Sequence, residues 1–188
     1  IILIVGFSTT TFSQSWNNLL VSNSLEGWTV PDNNIWYKNE KGVLHIQSSP
    51  DRKGSILWTN KNYKNFVFET RFKMGEGTVD SGVFLRSESD QVQIGISGSL
   101  KRDMTGSPYI PGMGYPVEAK GVAAILKPKD WNKMKIEIKA KTYSVWLNNK
   151  MVMTYTSDKI PDSGPIGIQL HPGKDMQIDY KKMRVKEI

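Results

Sequence analysis

The feature that most constrains the fold of this chain is an alternation of apolar and polar side chains that recurs in short segments. In Phe66–Met74, every second residue is apolar apart from Thr70, and the positions between them include Glu69 and Lys73. A period of two places alternate side chains on opposite faces of a β-strand. Only Val122–Lys127 predicts a short helical turn. The chain is therefore predicted to be all-β, and to form a sandwich of antiparallel sheets.

Short strands of this kind are predicted along most of the chain, and turn residues separate them. Asn148–Lys150, for example, predicts a hairpin turn because asparagine tolerates a positive φ. The predicted strands are Val43–Ile46, Ile56–Thr59, Phe66–Met74, Val83–Arg86, Val92–Ile96, Met134–Ala140, Tyr143–Leu147, Met151–Tyr155, Ile166–His171 and Met176–Val185.

The first residues have a different character. Ile1–Phe7 is an apolar run, and small polar residues follow it as far as Ser15. This pattern predicts that residues 1–14 are a signal-peptide remnant, although a buried first strand is the alternative. We expect an exported, soluble product, periplasmic or secreted, with one domain over residues 25–188. No other apolar stretch approaches the roughly 20 residues that span a membrane.

Composition excludes several classes of function. The chain has 188 residues, a net charge of +7 and no cysteine, so it has neither a disulfide nor a thiolate metal site. Lys133, Lys135 and Lys139 alternate along one predicted strand with Glu137 among them, which is typical of a solvated face. We therefore expect no nucleic-acid partner. No cofactor motif and no metal-binding histidine spacing is evident, and an oxygen-ligated divalent cation is left open.

Polar side chains share one face of the predicted strands. In Val92–Ile96 the apolar residues take one face, which leaves Gln93 on the other; in Ile166–His171, Gln169 and His171 lie opposite the apolar residues. Arginine offers a fork of donors, glutamine both donates and accepts, and histidine exchanges protons near neutral pH. If Arg86 from the neighbouring strand joins them, these groups form a floor suited to a polyhydroxylated ligand.

A long segment rich in glycine, proline and tyrosine lies between two of these strands. Ser97–Leu126 spans about 30 residues, and long loops inside compact domains are usually functional or disordered. Tyr109 within it is suited to stacking on a sugar ring. A structural excursion that covers a sheet edge is the alternative.

Several short motifs, in order and spacing, resemble those of the 3-keto-disaccharide hydrolase family. The resemblance covers roughly Leu25 to Ile188. The motifs are Gly27–Trp28, Gly42–Leu44, Tyr63–Phe66, Ser81–Arg86, Val92–Ile94, Thr105–Tyr109, Trp131–Asn132, Leu147–Asn149 and Gly164–His171.

The resemblance implies a concanavalin-like jelly-roll sandwich of two antiparallel sheets, and cleavage of glycosides already oxidised to a ketone at C3. Such chemistry needs a base for the C2 proton and a donor to the developing enolate oxygen. On this hypothesis His171 is the base or proton shuttle, and Arg86 stabilises the enolate or orients the sugar. Gln93 and Gln169 bind hydroxyls, and Tyr109 packs on the ring.

The chain also departs from the family pattern. Many members have glutamate and aspartate where this chain has Gln91 and Ile96. If either acid is the base in those members, Asp103, Glu118 or Glu69 is the candidate substitute, and the sequence does not choose among them. The partner is then a glycan or keto-sugar. The alternatives are a non-catalytic carbohydrate-binding module on the same sandwich, and an interaction domain whose polar face is merely solvated.

Overall fold

The structure is a computed structural model that describes residues 15–188. The predicted signal-peptide remnant, residues 1–14, lies outside the described residues, so export stays a prediction. The described part contains one short 3₁₀-helix, Val122–Ala124, inside the segment predicted to form a helical turn. No helix within residues 15–188 is long and apolar enough to cross a membrane.

Strands make up the rest of the regular structure. They are β1 (Asn17–Asn18), β2 (Trp28–Thr29), β3 (Tyr37–Glu40), β4 (Val43–Gln47), β5 (Ser55–Thr59), β6 (Phe66–Gly77), β7 (Asp80–Leu85), β8 (Gln91–Gly95), β9 (Pro108–Tyr109), β10 (Asn132–Lys139), β11 (Thr142–Leu147), β12 (Lys150–Thr156), β13 (Ile166–Leu170) and β14 (Met176–Glu187).

These strands form two sheets. The eight-stranded sheet has the order β12-β11-β10-β6-β14-β4-β3, with β1 paired to β14. The six-stranded sheet has the order β2-β5-β13-β7-β8-β9. All the strand pairs are antiparallel, for example β7 with β8 and β13 with β7. The predicted all-β jelly-roll sandwich of two antiparallel sheets is confirmed.

The hydrophobic core lies between the two sheets. Phe66, Phe68 and Phe72 alternate along β6 and are fully buried, and Ile94 and Ile168 contribute from the six-stranded sheet. Burying a side chain of this size contributes roughly 1.5–3 kcal/mol to folding. The alternation of each strand therefore decides which of its side chains face the core and which face outward.

The outward face of the six-stranded sheet carries the polar side chains. Phe84 lies opposite Gln91, and Gly82 lies opposite Gln93. Directly opposed residues of an antiparallel pair share one face. This outward face is covered too, because all the residues of β7 and β8 are buried.

The long segment Ser97–Leu126 is ordered and has two parts. Its first part returns to the sheet as β9, where Tyr109 lies opposite Gln91. Its second part packs against the core through Val117, Ile125 and Leu126. The segment is therefore both the edge of the six-stranded sheet and a cover for the sandwich.

Candidate functional site

A cavity of about 650 Å³ opens on the outward face of the six-stranded sheet. Its floor comes from β7, β8 and the end of β13, and its walls come from the segments that follow β8 and β13. We call it the amide cavity, after three glutamines in its lining. Its lining residues are Asp80, Phe84, Glu88, Gln91, Gln93, Ser97, Gly98, Ser99, Tyr109, Pro111, Tyr115, Gln169, His171, Pro172, Gly173 and Lys174.

The floor is a set of buried amides that hold one another in place. Gln91 Nε2 donates to Gln169 Oε1 at 2.5 Å, and Gln93 Nε2 donates to Asp80 Oδ1 at 2.8 Å. The Gln93–Asp80 bond joins the neighbouring strands β8 and β7, whereas the Gln91–Gln169 bond spans from β8 across β7 to β13, so the sheet order and register set the position of each amide. Side chains fixed in this way can present polar groups to a ligand with little loss of rotamer freedom.

Asp80 is the buried carboxylate of this floor. The residue is 2% exposed, and its Oδ2 atom has no hydrogen-bond partner among residues 15–188. A buried polar atom without a partner is costly and rare, and such atoms are often functional. The nearest basic nitrogen is Nε2 of His171, 3.9 Å from Oδ2.

His171 is oriented by the backbone. Its Nδ1 atom lies 2.6 Å from the carbonyl oxygen of Pro172. A carbonyl oxygen only accepts, so this contact requires the hydrogen to be on Nδ1. In the neutral ring, Nε2 then carries the free lone pair, and it lies 3.9 Å from Asp80 Oδ2. The arrangement suits a base whose charged form a nearby carboxylate stabilises.

Aromatic side chains flank the floor on two sides. Tyr109 and Tyr115 lie with their ring centroids 5.2 Å apart, and burial raises the pKa of Tyr115 to about 12, so its hydroxyl stays protonated. On the other side, the ring centroids of Phe84 and Trp58 are 5.7 Å apart. A sugar ring between these walls would meet flat apolar surfaces.

Two glycines in the sheet make room for these side chains. A Cβ on Gly82 would lie 2.3 Å from Gln91 Nε2, and a Cβ on Gly167 would lie 2.5 Å from the ring of Trp58. A glycine in a strand often marks such a close approach. Gln91 and Trp58 can therefore lie flat across the sheet.

A third glycine lies close beside the carboxylate. A Cβ on Gly98 would lie 3.1 Å from Asp80 Oδ2 and 3.9 Å from Nζ of Lys174. The carboxylate and the ammonium therefore border the same small volume. A substrate oxygen there could accept a hydrogen bond from Lys174.

Four of the five predicted site residues line this cavity: Gln93, Tyr109, Gln169 and His171. The structure brings them together from β8, β9 and the end of β13. The structure therefore shows that these side chains share one cavity, and their catalytic or binding roles stay predictions.

Arg86 is the exception, and the expectation that it shares the cavity is corrected. The predicted strand Val83–Arg86 ends one residue earlier, at Leu85, and Arg86 has a φ of 64°. This left-handed conformation turns the side chain away from the face of Phe84. The guanidinium is buried and donates to the carbonyl oxygens of Ala140 at 2.7 Å, of Pro161 at 2.9 Å and of Lys64.

The alternative acids suggested by the sequence lie elsewhere. Glu118 pairs with Arg102 at the surface, and Glu69 pairs with Arg184 on the eight-stranded sheet. Asp103 caps its own turn by accepting from the backbone N–H of Thr105. None of the three lines the amide cavity.

Asp80 is the acid that sequence reasoning missed. The predicted strand begins at Val83, whereas β7 begins three residues earlier, at Asp80. Counting back from Phe84 in steps of two reaches Gly82 and then Asp80, so the signal was the same alternation. Asp80 pairs with Gly95 of β8, which is the first residue pair between these two strands.

Within residues 15–188, no group of three or more histidine, cysteine, aspartate or glutamate side chains is placed to hold a metal ion. The second histidine, His45, pairs with Asp179 at 2.8 Å on the other sheet.

Comparison with protein families decides the classification. The model of a family described as "3-keto-alpha-glucoside-1,2-lyase-like domain" matches residues 15–186. The chain belongs to this family. The resemblance seen in the ordered motifs is thereby confirmed. A search of curated protein sequences finds no match.

Solved structures show that the family fold is shared with carbohydrate-related proteins. A protein from Parabacteroides distasonis, named "putative glycosyl hydrolase", superposes with a TM-score of 0.70 at 23% identity, over 93% of this chain and 100% of that one. A second protein of that name from the same organism has a TM-score of 0.68 at 17% identity, over 92% and 94%. A carbohydrate binding module from Bacillus subtilis has a TM-score of 0.52 at 10% identity, over 93% and 98%. At these identities the likeness shows the fold alone.

Proposed function

We propose that the protein cleaves 3-keto-glycosides by removing the proton next to the ketone, expelling the aglycone and then adding water. The observation that supports this most is the unpartnered Oδ2 atom of buried Asp80, 3.9 Å from His171 Nε2, on a floor of fixed amides. Membership of a family with a 3-keto-glucoside lyase description supports the choice of substrate class.

The reaction balances without a redox partner. A base takes the proton from C2, and the C–H electron pair forms an enolate with the C3 ketone. Collapse of the enolate makes a C1–C2 double bond and breaks the C1–O bond, whose electrons leave with the aglycone oxygen. That oxygen regains a proton, and water then adds a hydroxyl at C1 and a hydrogen at C2.

His171 is the base in this proposal, and Asp80 stabilises the imidazolium that forms. The neutral ring accepts at Nε2 because Nδ1 donates to Pro172. The attraction between the carboxylate and the imidazolium, whose nearest atoms are 3.9 Å apart, is the basis of this role. Once the aglycone oxygen leaves, the imidazolium is positioned to return the proton.

The remaining groups hold the sugar and the developing charge. Gln169 Oε1 accepts from Gln91, which leaves the Gln169 amide hydrogens for a sugar oxygen. Lys174 borders the space beside Asp80 and is the candidate donor to the enolate oxygen in place of Arg86. Donors aimed at a developing oxyanion are typically a large catalytic contribution. Tyr109 packs on the ring.

The test is turnover of 3-keto-trehalose and of an aryl 3-keto-glucoside, followed as release of the aglycone. We expect the wild type to turn over at least one of them, and His171→Ala and Asp80→Asn to lose at least about 100-fold in kcat, as general-base removal typically does. Asparagine at position 80 can still accept from Gln93, so this variant changes the charge and keeps the bond.

The matched control is the second histidine–aspartate pair. His45→Ala and Asp179→Asn remove the same groups from a pair of 2.8 Å that lies on the other sheet, outside the amide cavity. These variants should keep full turnover. Equal losses in both pairs would argue against a role for His171 and Asp80 in the reaction.

A carbohydrate-binding module is the second candidate, because fixed amides between aromatic walls also suit binding alone. It predicts that wild type and His171→Ala bind a keto-sugar or glycan alike and that neither turns it over. If the wild type shows neither binding nor turnover, both candidates are contradicted.

A further inference from the structure

A second cavity, of about 530 Å³, lies on the outward face of the eight-stranded sheet, on the opposite side of the sandwich from the amide cavity. We call it the cationic cavity. Four of its lining residues are basic. It is lined by Asn18, Leu20, Gly42, Glu69, Thr70, Arg71, Lys133, Lys182, Met183 and Arg184.

Three cations stand side by side across this face. Arg71 of β6 lies directly opposite Lys133 of β10 on one side and directly opposite Lys181 of β14 on the other. Like charges in directly opposed positions destabilise a sheet. Arg71 is exposed and has no ion-pair partner within residues 15–188. Lys133 pairs with Glu69, and Lys181 lies over the ring of Trp131, so Arg71 is the cation of this row that the fold leaves unexplained.

One carboxylate is not enough to neutralise the cavity. Glu69 accepts from Arg184 Nη2 at 2.6 Å and lies 3.4 Å from Nζ of Lys133. Burial opposes ionisation of Glu69, but the Arg184 hydrogen bond and the Lys133 charge outweigh it and lower the pKa. With Glu69 committed to these partners, Arg71 and Lys182 are the basic lining residues that have no ion-pair partner in the part of the chain that the structure describes.

A β-bulge shapes the wall of the cavity. The pairing of β14 with β6 shifts register between Lys181 and Arg184. Lys182, inside the bulge, has a φ of 51°, which is uncommon for a residue other than glycine. Bulges re-aim side chains and are frequent beside functional sites. Here the bulge interrupts the regular ladder where the basic residues converge.

We propose that the cationic cavity binds an anionic group of an acidic glycan, a carboxylate or a sulfate. Arginine forks and lysine ammonium groups bind such groups by charge-assisted hydrogen bonds. Exposed Asn18 adds a neutral polar group, and partly buried Leu20 adds apolar surface beside the cations. The lining contains no aromatic side chain on which a nucleic-acid base could stack, which favours a glycan over single-stranded nucleic acid. This site is separate from the amide cavity, so the proposal does not depend on the keto-glycoside activity.

The experiment measures binding of the full chain to three polymers: polygalacturonate, which offers carboxylates, dextran sulfate, which offers sulfates, and uncharged dextran. We expect binding to at least one of the anionic polymers at about 50 mM salt, weakened at high salt, and none to dextran. Arg71→Gln and Lys182→Gln should each weaken that binding about tenfold, as expected for loss of one charge-assisted hydrogen bond. Lys133→Gln should weaken it less, because Lys133 is already paired with Glu69. The polymer that binds identifies the group.

Lys139→Gln is the matched control. It removes the same charge from the same face of β10 but lies outside the cavity. This variant should bind like the wild type, and Arg71→Gln should keep or raise the melting temperature because it relieves like-charge contacts. Equal weakening in Lys139→Gln, no binding to either anionic polymer, or tighter binding to single-stranded DNA than to both would overturn the proposal.

Discussion

At the scale of single residues, the site depends on where a strand begins and ends. The alternation of polar side chains was enough to predict that Gln93, Gln169 and His171 share a face. It did not reveal Asp80, because Val83 looked like the start of the strand, and it misplaced Arg86, because nothing in the residue type signals a φ of 64°. Strand ends are where sequence patterns are weakest, and both errors lie there.

Gly98 provides a residue-scale prediction. Gly98→Val fills the space beside Asp80 Oδ2, where even a Cβ lies at 3.1 Å. The residue does not have a positive φ, so the backbone accepts the change. We expect kcat/KM on a 3-keto-glucoside to fall by about tenfold or more, which corresponds to an increase of about 1.4 kcal/mol in the activation free energy. The melting temperature should change little.

Gly98→Ala is the graded control for this series. It adds only the Cβ and should have an intermediate effect. A valine variant with wild-type kcat/KM would mean that substrate does not occupy the space between Asp80 and Lys174.

At the scale of elements, close packing explains both glycines of the motif that begins at Gly164. A Cβ on Gly164 would lie 1.8 Å from the carbonyl oxygen of Arg86, and Gly167 leaves room for Trp58. The four-residue strand β3 was missed, whereas the strands of five or more residues were predicted to within three residues at each end. The two-residue strands β1, β2 and β9 were not, because two residues are too few to display a period. Their pairing partners, distant in sequence, define them.

Arg86 provides the element-scale prediction. Its guanidinium joins three separate segments through the carbonyl oxygens of Lys64, Ala140 and Pro161, and burial lowers its pKa, with Asp162 opposing. Arg86→Met leaves these carbonyls without their donor. We expect the free energy of unfolding, measured by urea denaturation, to fall by about 3–5 kcal/mol, because three carbonyl oxygens lose their donor at about 1–3 kcal/mol each.

Arg102→Met is the control for Arg86. Arg102 is also a bidentate partner, bound to Glu118, but this pair is exposed and should contribute little. If Arg86→Met instead kept its stability and lost only turnover, Arg86 would act on the substrate after all.

At the scale of the whole molecule, the sequence predicted the class of fold but not its arrangement. Two antiparallel sheets follow from the periods of the strands. The order β2-β5-β13-β7-β8-β9 depends on pairings between distant segments, which no local pattern encodes. For the same reason the lysines of β10 looked merely solvated, since Arg71 becomes the neighbour of Lys133, and Lys181 the neighbour of Arg71, only in the folded sheet.

Glu69 provides the prediction at this scale, because it connects β10 and β14 across β6. Its folded pKa lies below the unfolded value of about 4.3, so its contribution to stability is complete above that value and is lost as the pH falls through the folded pKa. We expect Glu69→Gln to be less stable than the wild type at pH 7, with the difference shrinking below about pH 4. Urea titrations from pH 7 to pH 3 measure this; a difference that stays constant over the whole range would contradict the assignment.

The burial of β7 and β8 on both faces has a consequence for how this protein can diverge. In β11 buried and partly exposed residues alternate, so every second position can drift. In β7 and β8 the pattern is buried throughout, since one face meets the core and the other meets the amide cavity. A lineage that changes its ligand must therefore alter positions held between core neighbours, and new specificities should arise more readily in the surrounding loops than in the floor.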